Sequence, residues 1–531
     1  MNIDLASSRR LTGRLAIVSL CGCVALAACN RAAHSDTAAV TSTPASCDTL
    51  AAIALPATTV TKVERVEAGA FVAPPAPPGP PRSVDYTTLP AFCRVTATAA
   101  PTPDSAIKFE VWLPVEGWNG KFVAVGNGGF SGLIFYSDMA DPLRRGYAVA
   151  GSDTGHEGGP ADAGFAVGHP EKLVDFAWRA VHETTVQSKA IVTALYSRPP
   201  RRAYWVGCST GGRQGLKSAQ RFPEDFDGIS AGAPANNWVP LMAYGAKVQQ
   251  LVTHPKAGLA PPQLTLLKEA AIKACDARDG VTDRVVEDPR SCAFDPGTIA
   301  CTAGTSSSCL TPSQVVTARS IYAGVVNQRT GEKIFPGPAP GGEPVWAAYA
   351  PGAFPIAANY WRDQVTGDPS WTPSKLDLDK DLARARSLDK TVDVTATDPN
   401  LSAFVGRRGK LLLWHGWTDG LIPAQNTIDY YESVRTKTGA EQVKDSVRLF
   451  MAPGVDHCSG GEGTFTIDVL GALDTWVESG KAPEQIIASR PLAGGVTRTR
   501  PLCSYPQVAR YRGQGSTDEA SNFACESPPR R

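Results

Sequence analysis

The chain has 531 residues, more than one hydrophobic core usually serves, so a main domain with a second substructure is expected. Its 52 Lys and Arg against 51 Asp and Glu leave a net charge of +1, which excludes both the basic footprint of a nucleic-acid binder and the charge excess of a disordered tail. With 50 Gly and 43 Pro, the chain is rich in turns and long connections and is not a helical bundle.

At the N-terminus, Arg9, Arg10 and Arg14 precede an apolar run from Leu15 to Ala28 that is too short to span a bilayer as a mature helix. The run ends in Leu26-Ala27-Ala28-Cys29, small residues before a cysteine, which resembles a bacterial lipobox. Residues 1–29 are therefore expected to be an export signal, with Cys29 as a lipid-bearing new N-terminus or with cleavage nearby as in an ordinary secretory signal. Residues 30–46, rich in Ala, Ser and Thr, read as a flexible tether. Thirteen cysteines less Cys21, Cys23 and Cys29 leave ten, an even number that implies five disulfides in an exported chain.

The proline-rich stretch from Ala73 to Pro81 is expected to be extended. Cys47 and Cys93 flank it, so a bridge between them would pin the N-terminal arm. From residue 107 the pattern changes. Ile107 to Leu113 alternates like a half-buried strand, and short apolar runs follow at 122–125, 147–150, 203–206, 410–414 and 447–451. Helical stretches such as Leu173 to Tyr196 lie between several of them. Strands alternating with helices predict an α/β fold with a mainly parallel, covered sheet, assigned to 47–235 and 401–531. The rhythm breaks over 236–400, which is expected to be an inserted lid domain.

Gly207-Cys208-Ser209-Thr210-Gly211 fits G-x-S-x-G, directly after the run 203–206 and before a helix-compatible stretch. In that setting the glycines allow a sharp strand-to-helix turn that exposes a nucleophilic serine. A nucleophilic serine needs a base and the base an orienting acid, in the chain order Ser, Asp or Glu, His. Of seven histidines, only His254, His415 and His457 follow Ser209. His457, just past the run 447–451, is the expected base, and Asp419, just past 410–414, the expected acid. His415 precedes Asp419 and His254 falls in the insertion, so both are read as structural. Asp456 is the rival acid, disfavoured because it adjoins the base in sequence. Cys208 precedes Ser209 and Cys458 follows His457, an arrangement that invites a disulfide across the site. The expected oxyanion donors are the backbone N–H groups of Thr210 and of Gly129, in the glycine-rich loop after the strand 122–125.

Between Cys275 and Cys292 lies a turn with Asp276, Asp279 and Asp283, a density of hard oxygen donors suited to Ca²⁺ although the spacing is not that of an EF-hand. On its residues alone it reads as a solvated acidic turn.

Taken together, the chain resembles the tannase and feruloyl esterase family of α/β-hydrolases over nearly all of its mature length. The resemblance rests on Gly207-Cys-Ser-Thr-Gly-Gly-Arg-Gln-Gly215, on Gln220 to Gly228 with Ala231-Gly-Ala-Pro234, on His415-Gly-Trp-Thr-Asp419 and on Pro453 to Gly461. The tail around Arg500 to Pro506 and Asn522 to Cys525 is similar too. The resemblance implies a disulfide between Cys208 and Cys458 and further pairs Cys47–Cys93, Cys275–Cys292, Cys301–Cys309 and Cys503–Cys525. It also implies structural Ca²⁺ on Asp276, Asp279 and Asp283 with the carbonyls of Val281 and Val285, although Arg284 stands where many members have Gly. The substrates it implies are esters of aromatic acids: ferulate, gallate or, in one branch, a terephthalate half-ester. Thr210 after the nucleophile resembles the feruloyl esterase and tannase members, since the terephthalate branch has Glu there. Trp346, Phe354, Tyr360, Trp361 and Trp371 are candidates to stack on an aromatic acid or to form the lid core.

The sequence thus predicts an exported serine esterase acting on a small aromatic ester, touching a membrane only through a lipid anchor and binding no nucleic acid. The rival readings are a peptidase or amidase with the same triad, and a lipoprotein that binds aromatic ligands without turning them over.

Overall fold

The computed structural model describes residues 46–75, 84–302, 308–350 and 352–528. The expected signal with Cys29, the tether up to residue 45 and most of the proline-rich run lie outside the described residues.

Nine strands form one sheet. They are β1 (Thr58–Val66), β2 (Phe92–Ala99), β3 (Ile107–Pro114), β4 (Lys121–Val125), β5 (Ala148–Ser152), β6 (Arg202–Cys208), β7 (Gly228–Gly232), β8 (Lys410–Gly416) and β9 (Val447–Ala452). Their spatial order is β1-β2-β3-β5-β4-β6-β7-β8-β9. The first three strands and the β3–β5 contact are antiparallel, and every pair from β5 to β9 is parallel.

Both faces are covered, as the apolar runs require. In β8, Leu411 and Leu413 face one core and Leu412 and Trp414 the other, the two-residue period of a strand buried on both sides. The helices α1 (Tyr136–Arg144) and α7 (Val469–Ser479) cover the face that holds Leu412. The helices α2 (Ala180–Tyr196), α3 (Thr210–Arg221) and α6 (Gln425–Thr438) cover the face that holds Leu413. Among the described residues no helix is long and apolar enough to cross a membrane.

The insertion lies between β7 and β8 and opens with α4 (Trp238–Val252) and α5 (Pro261–Cys275). Its core contains Trp238, Trp346 and Trp361, and it continues into Phe130, Phe176 and Ile422 outside the insertion. The described residues group as one compact unit.

After β9 the chain forms two hairpins, β10 (Gln485–Pro491) with β11 (Thr497–Cys503) and β12 (Val508–Tyr511) with β13 (Phe523–Glu526). The five expected cysteine pairs are all bonded: Cys47–Cys93, Cys208–Cys458, Cys275–Cys292, Cys301–Cys309 and Cys503–Cys525. Ten cysteines in five bonds are chemistry for an oxidising compartment.

Candidate active site

At the C-terminal end of β6 the backbone turns sharply at Ser209, which has φ 63° and ψ −122°, and α3 starts at the next residue. A non-glycine residue at positive φ costs energy and persists only where its surroundings hold it. Here the Ser209 N–H donates to Gly232 O at 2.9 Å, and Ser209 O accepts from Arg213 N–H and Ala235 N–H at 3.1 and 3.0 Å. The turn also needs close backbone approach. A Cβ on Gly207 would lie 2.5 Å from Gly211 C, and one on Gly126 would lie 2.5 Å from Gly211 Cα.

The loop after β9 brings His457 to this turn, with its Nε2 2.9 Å from Ser209 Oγ. His457 Nδ1 lies 2.7 Å from Asp419 Oδ2. A nitrogen facing a carboxylate carries the proton, so Nδ1–H donates to Asp419 and Nε2 is free to accept from the serine hydroxyl. Asp419, at the end of β8, is buried, and its Oδ1 accepts from Leu421 N–H and Ile422 N–H at 2.9 and 2.8 Å. Burial by itself would push the Asp419 carboxyl up. The charge of His457 and hydrogen bonds from His415 and His457 more than offset this and hold it well below the usual carboxylate range. Asp456, the rival acid, is turned away, and accepts instead from Thr418 Oγ1 at 2.8 Å.

Cys208 and Cys458 bridge the nucleophile turn and the His457 loop across 250 residues of chain, with 6.0 Å between their Cα atoms. The bond ties together the two segments that carry Ser209 and His457 and limits how far they can drift apart.

Gly129 and Thr210 both line the cleft beside Ser209. Neither backbone N–H has a protein acceptor among the described residues. Gly129 has φ +56°, and a Cβ there would lie 2.2 Å from Pro160 O. The two segments are fastened to each other. Thr210 Oγ1 donates to Gly129 O at 2.8 Å, Gly211 N–H donates to Asn127 O at 2.8 Å, and Asn127 N–H donates to Gln214 Oε1 at 3.0 Å. The role of the Thr210 side chain was not readable from the motif, which demands only a backbone N–H at that position.

The triad opens into a cleft of about 1430 Å³. Trp238, Met242, Tyr349, Phe354, Ile356 and Leu421 give it one apolar wall, while Tyr136, Asp138, Arg145 and Asp468 line another part. Of the five aromatics read as either stacking residues or lid core, Phe354 lines this cleft. Trp346, Tyr360, Trp361 and Trp371 are buried in the insertion core, where Trp361 stacks on Trp371 and its Nε1–H donates to Met242 O at 3.0 Å. Trp238 and Tyr349, aromatics that the sequence did not single out, line the cleft beside Phe354.

Arg213 is a further residue that the sequence did not single out. It is fully buried on α3, donates to Ala177 O, Phe176 O and Val394 O, and lies over the rings of Phe176 and Trp238. Burial pushes its guanidinium down to about 9. It joins the nucleophile helix to the insertion wall of the cleft.

The acidic turn lies beside the His457 loop. Arg284 and Lys268 both pair with Glu462, and a Cβ on Gly454 would lie 3.3 Å from Val285 Cγ1. Asp283 accepts from Arg500 at 2.5 Å and pairs with Arg498, while Glu287 accepts from Ala509 N–H, so the turn is also tied to the C-terminal hairpins. Asp276 accepts from the N–H groups of Asp283 and Arg284, and Asp279 from those of Val281 and Glu287. Burial, with the nearby charges of Asp283 and Asp276, raises Asp279 to about 6. In charge and donor type the turn fits a hard cation. As placed, its carboxylates face protein donors, and among the described residues no three acidic, histidine or cysteine side chains gather as a metal cage. Arg284, within the turn, has φ +71°.

A serine hydroxyl bonded to an imidazole whose far nitrogen is held by a buried carboxylate is an activated nucleophile. A fluorophosphonate is therefore expected to label Ser209. Ser209→Ala should abolish labelling and His457→Ala should slow it by at least ~100-fold. Labelling elsewhere, or at an unchanged rate in His457→Ala, would contradict this reading.

Comparison with known proteins agrees with the geometry. The family model for tannase and feruloyl esterase matches residues 93–526. The chain is 39% identical over 541 aligned positions to an uncharacterized esterase of Xanthomonas campestris pv. campestris, covering 92% of each. It is 33% identical to a protein named "Probable feruloyl esterase B-1" of Aspergillus flavus, covering 82% of this chain and 86% of the relative. The crystal structure of feruloyl esterase B from Aspergillus oryzae superposes with a TM-score of 0.83 at 31% identity, covering 90% of this chain and 99% of that one. Tannin acyl hydrolase from Aspergillus niger, at 22% identity and a TM-score of 0.72, shares the fold. The chain is a carboxylic ester hydrolase and belongs to the tannase and feruloyl esterase family.

Proposed function

We propose that this enzyme hydrolyses esters of aromatic, phenolic acids through an acyl-enzyme on Ser209, as an exported protein. The observation that carries the reading is the hydrogen-bonded chain from Ser209 through His457 to Asp419, opening into a cleft with an aromatic and aliphatic wall. The relatives named as feruloyl esterases support the acyl half, and the ten bridged cysteines support export.

In the first half-reaction Ser209 Oγ forms a bond to the ester carbonyl carbon while its proton passes to His457 Nε2. The carbonyl oxygen, now an oxyanion, accepts from the N–H groups of Gly129 and Thr210. Collapse breaks the carbon–alkoxy bond, and His457 returns the proton to the departing alcohol. Water then repeats the path, with its proton taken by His457 and passed to Ser209, and the acid is freed. Asp419 stays ionised throughout and steadies the imidazolium. An intact, connected triad argues against a binding protein without turnover.

We further propose that Ca²⁺ is held by the carboxylates of Asp276, Asp279 and Asp283 with the carbonyls of Val281 and Val285. When bound, the ion supplies charge neutralisation and no chemistry at the scissile bond. The turn's own residues brace the His457 loop through Glu462 and the C-terminal hairpin through Arg498 and Arg500.

Three measurements test these readings. On methyl ferulate, methyl gallate and the mono-hydroxyethyl ester of terephthalate, free acid should be released with a preference for a phenolic ester, and Ser209→Ala should lose at least ~10³-fold. Turnover confined to the terephthalate ester would move the enzyme to that branch, and no serine-dependent release from any ester would overturn the aromatic-ester reading. Thr210→Val, which removes the tie to Gly129 O and keeps both N–H groups, should lower kcat roughly tenfold with little change in KM. An unchanged kcat would show that the oxyanion loop holds its place without that bond. Calcium chelation should lower Tm, because an ion bound only to the folded state stabilises it; an unchanged Tm with no bound metal would remove the calcium proposal.

A further inference from the structure

Asp419 serves two histidines. His457 Nδ1 lies 2.7 Å from its Oδ2, and His415 Nε2 lies 3.1 Å from the same oxygen. His415 is fully buried at the end of β8, four residues before the carboxylate it reaches. Its Nε2 is also 2.8 Å from Ile422 O, and its Nδ1 is 2.7 Å from Thr427 Oγ1 on α6. Two acceptors at Nε2 require the proton there, and Nδ1 then accepts from the Thr427 hydroxyl. That tautomer leaves no polar atom of the ring without a partner. A histidine serving only as packing would not need its donor aimed at the oxygen that orients the base.

We propose that His415 is a positioning residue for the reaction: its Nε2–H fixes the Asp419 carboxylate for His457 and moderates the charge that the carboxylate presents to that imidazole. The proposal rests on the reading of Ser209, His457 and Asp419 as the triad. The physical argument concerns one oxygen with two donors. A hydrogen bond from His415 spreads part of the Oδ2 charge away from His457. With it, Asp419 has four donors, two on each oxygen, and can swing toward neither side. Without it, the carboxylate would hold the imidazolium of His457 more strongly, and the base would need a higher pH to be free.

The other titratable groups facing this cluster are few. Tyr244 donates to Gly420 O from α4, and Tyr349 donates to Leu421 O from the insertion. Burial pushes both phenols well above their ordinary value, so both stay neutral. Asp456, on the His457 loop, is held by Thr418, with Lys268 and Glu462 beyond it. None of these changes in the variants below, so their titrations are common to every profile.

The test is the rate of Ser209 modification by a fluorophosphonate as a function of pH, which needs no knowledge of the natural ester. His415→Asn keeps polarity near Thr427 and loses the Nε2 donor, whereas His415→Gln can place an amide N–H where Nε2 stood. His415→Asn is expected to lower the plateau rate by ~10-fold, the scale of coupling within one hydrogen-bond network. It should also move the acidic limb to higher pH by about half a unit. His415→Gln should return the limb toward its wild-type position. If His415→Asn does not fold, Thr427→Val removes the hydroxyl that fixes the tautomer and should move the limb in the same direction by less. The proposal is overturned if His415→Asn, or Thr427→Val in its place, leaves the limb where it was and changes only the rate or Tm, or if His415→Asn and His415→Gln have superimposable profiles. Failure of wild-type Ser209 to be labelled would remove the triad reading and this proposal together, while normal labelling with an unmoved limb would remove this proposal alone.

Discussion

A carboxylate out of water is stable only if its charge is met by donors, and the site is organised around one such group, Asp419. Its side chain is fully enclosed, so each oxygen needs partners from the fold. Two come from the backbone of Leu421 and Ile422, which fixes the path of the chain after β8. Two come from His415 and His457, which fixes where β8 must end relative to the loop after β9. The parallel pairing of β8 with β9, Leu411 opposite Val447 through Gly416 opposite Ala452, delivers both loops to the same rim of the sheet. Satisfying the buried charge and placing the base are therefore one structural requirement.

The nucleophile meets that base through a second constraint. Ser209 is held in a backbone conformation unfavourable for a side chain, with Gly232, Arg213 and Ala235 as hydrogen-bond partners. The Cys208–Cys458 bond then links the serine turn to the histidine loop covalently. Beyond that loop, Glu462 gathers Lys268, Arg284 and Arg490, and Asp283 gathers Arg498 and Arg500. The segment carrying His457 is thereby buttressed from the acidic turn and the C-terminal hairpins. The Glu462 pairs are partly exposed and contribute little one by one, whereas Asp283 and Arg500 are buried together and each charge needs the other.

The cleft is a joint product of sheet domain and insertion. Gly129, Ser209 and His457 come from loops of the sheet, while Trp238, Tyr349 and Phe354 come from the insertion. Arg213 crosses between them from α3, a buried cation whose terminal nitrogens donate to carbonyls of both parts and which lies over two aromatic rings. Because the insertion core is continuous with Phe130 and Phe176, the apolar wall is set by the same packing that holds the loop carrying Gly129. Changes in insertion packing are thus coupled to the chemistry even where they do not touch Ser209.

The sequence by itself determined the α/β class, the serine turn, the order Ser209, Asp419, His457 and the linkage of Cys208 to Cys458. Each of these is written in local signals: apolar runs ending at glycine-rich turns, and reactive residues placed just past strand ends. The same locality is why Asp419 could be preferred to Asp456, since the neighbour of the base in sequence points elsewhere, here to Thr418. Only the tertiary structure decided which aromatics line the cleft. Trp346, Phe354, Tyr360, Trp361 and Trp371 are alike as residues, and their roles depend on which side of a shared core each faces. It also set the Thr210 hydroxyl on Gly129 O, tied the acidic turn to the His457 loop through Glu462, and put His415 on the same carboxylate oxygen as His457. Those facts are contacts between segments far apart in the chain, or side-chain directions within a turn, and neither composition nor spacing encodes them.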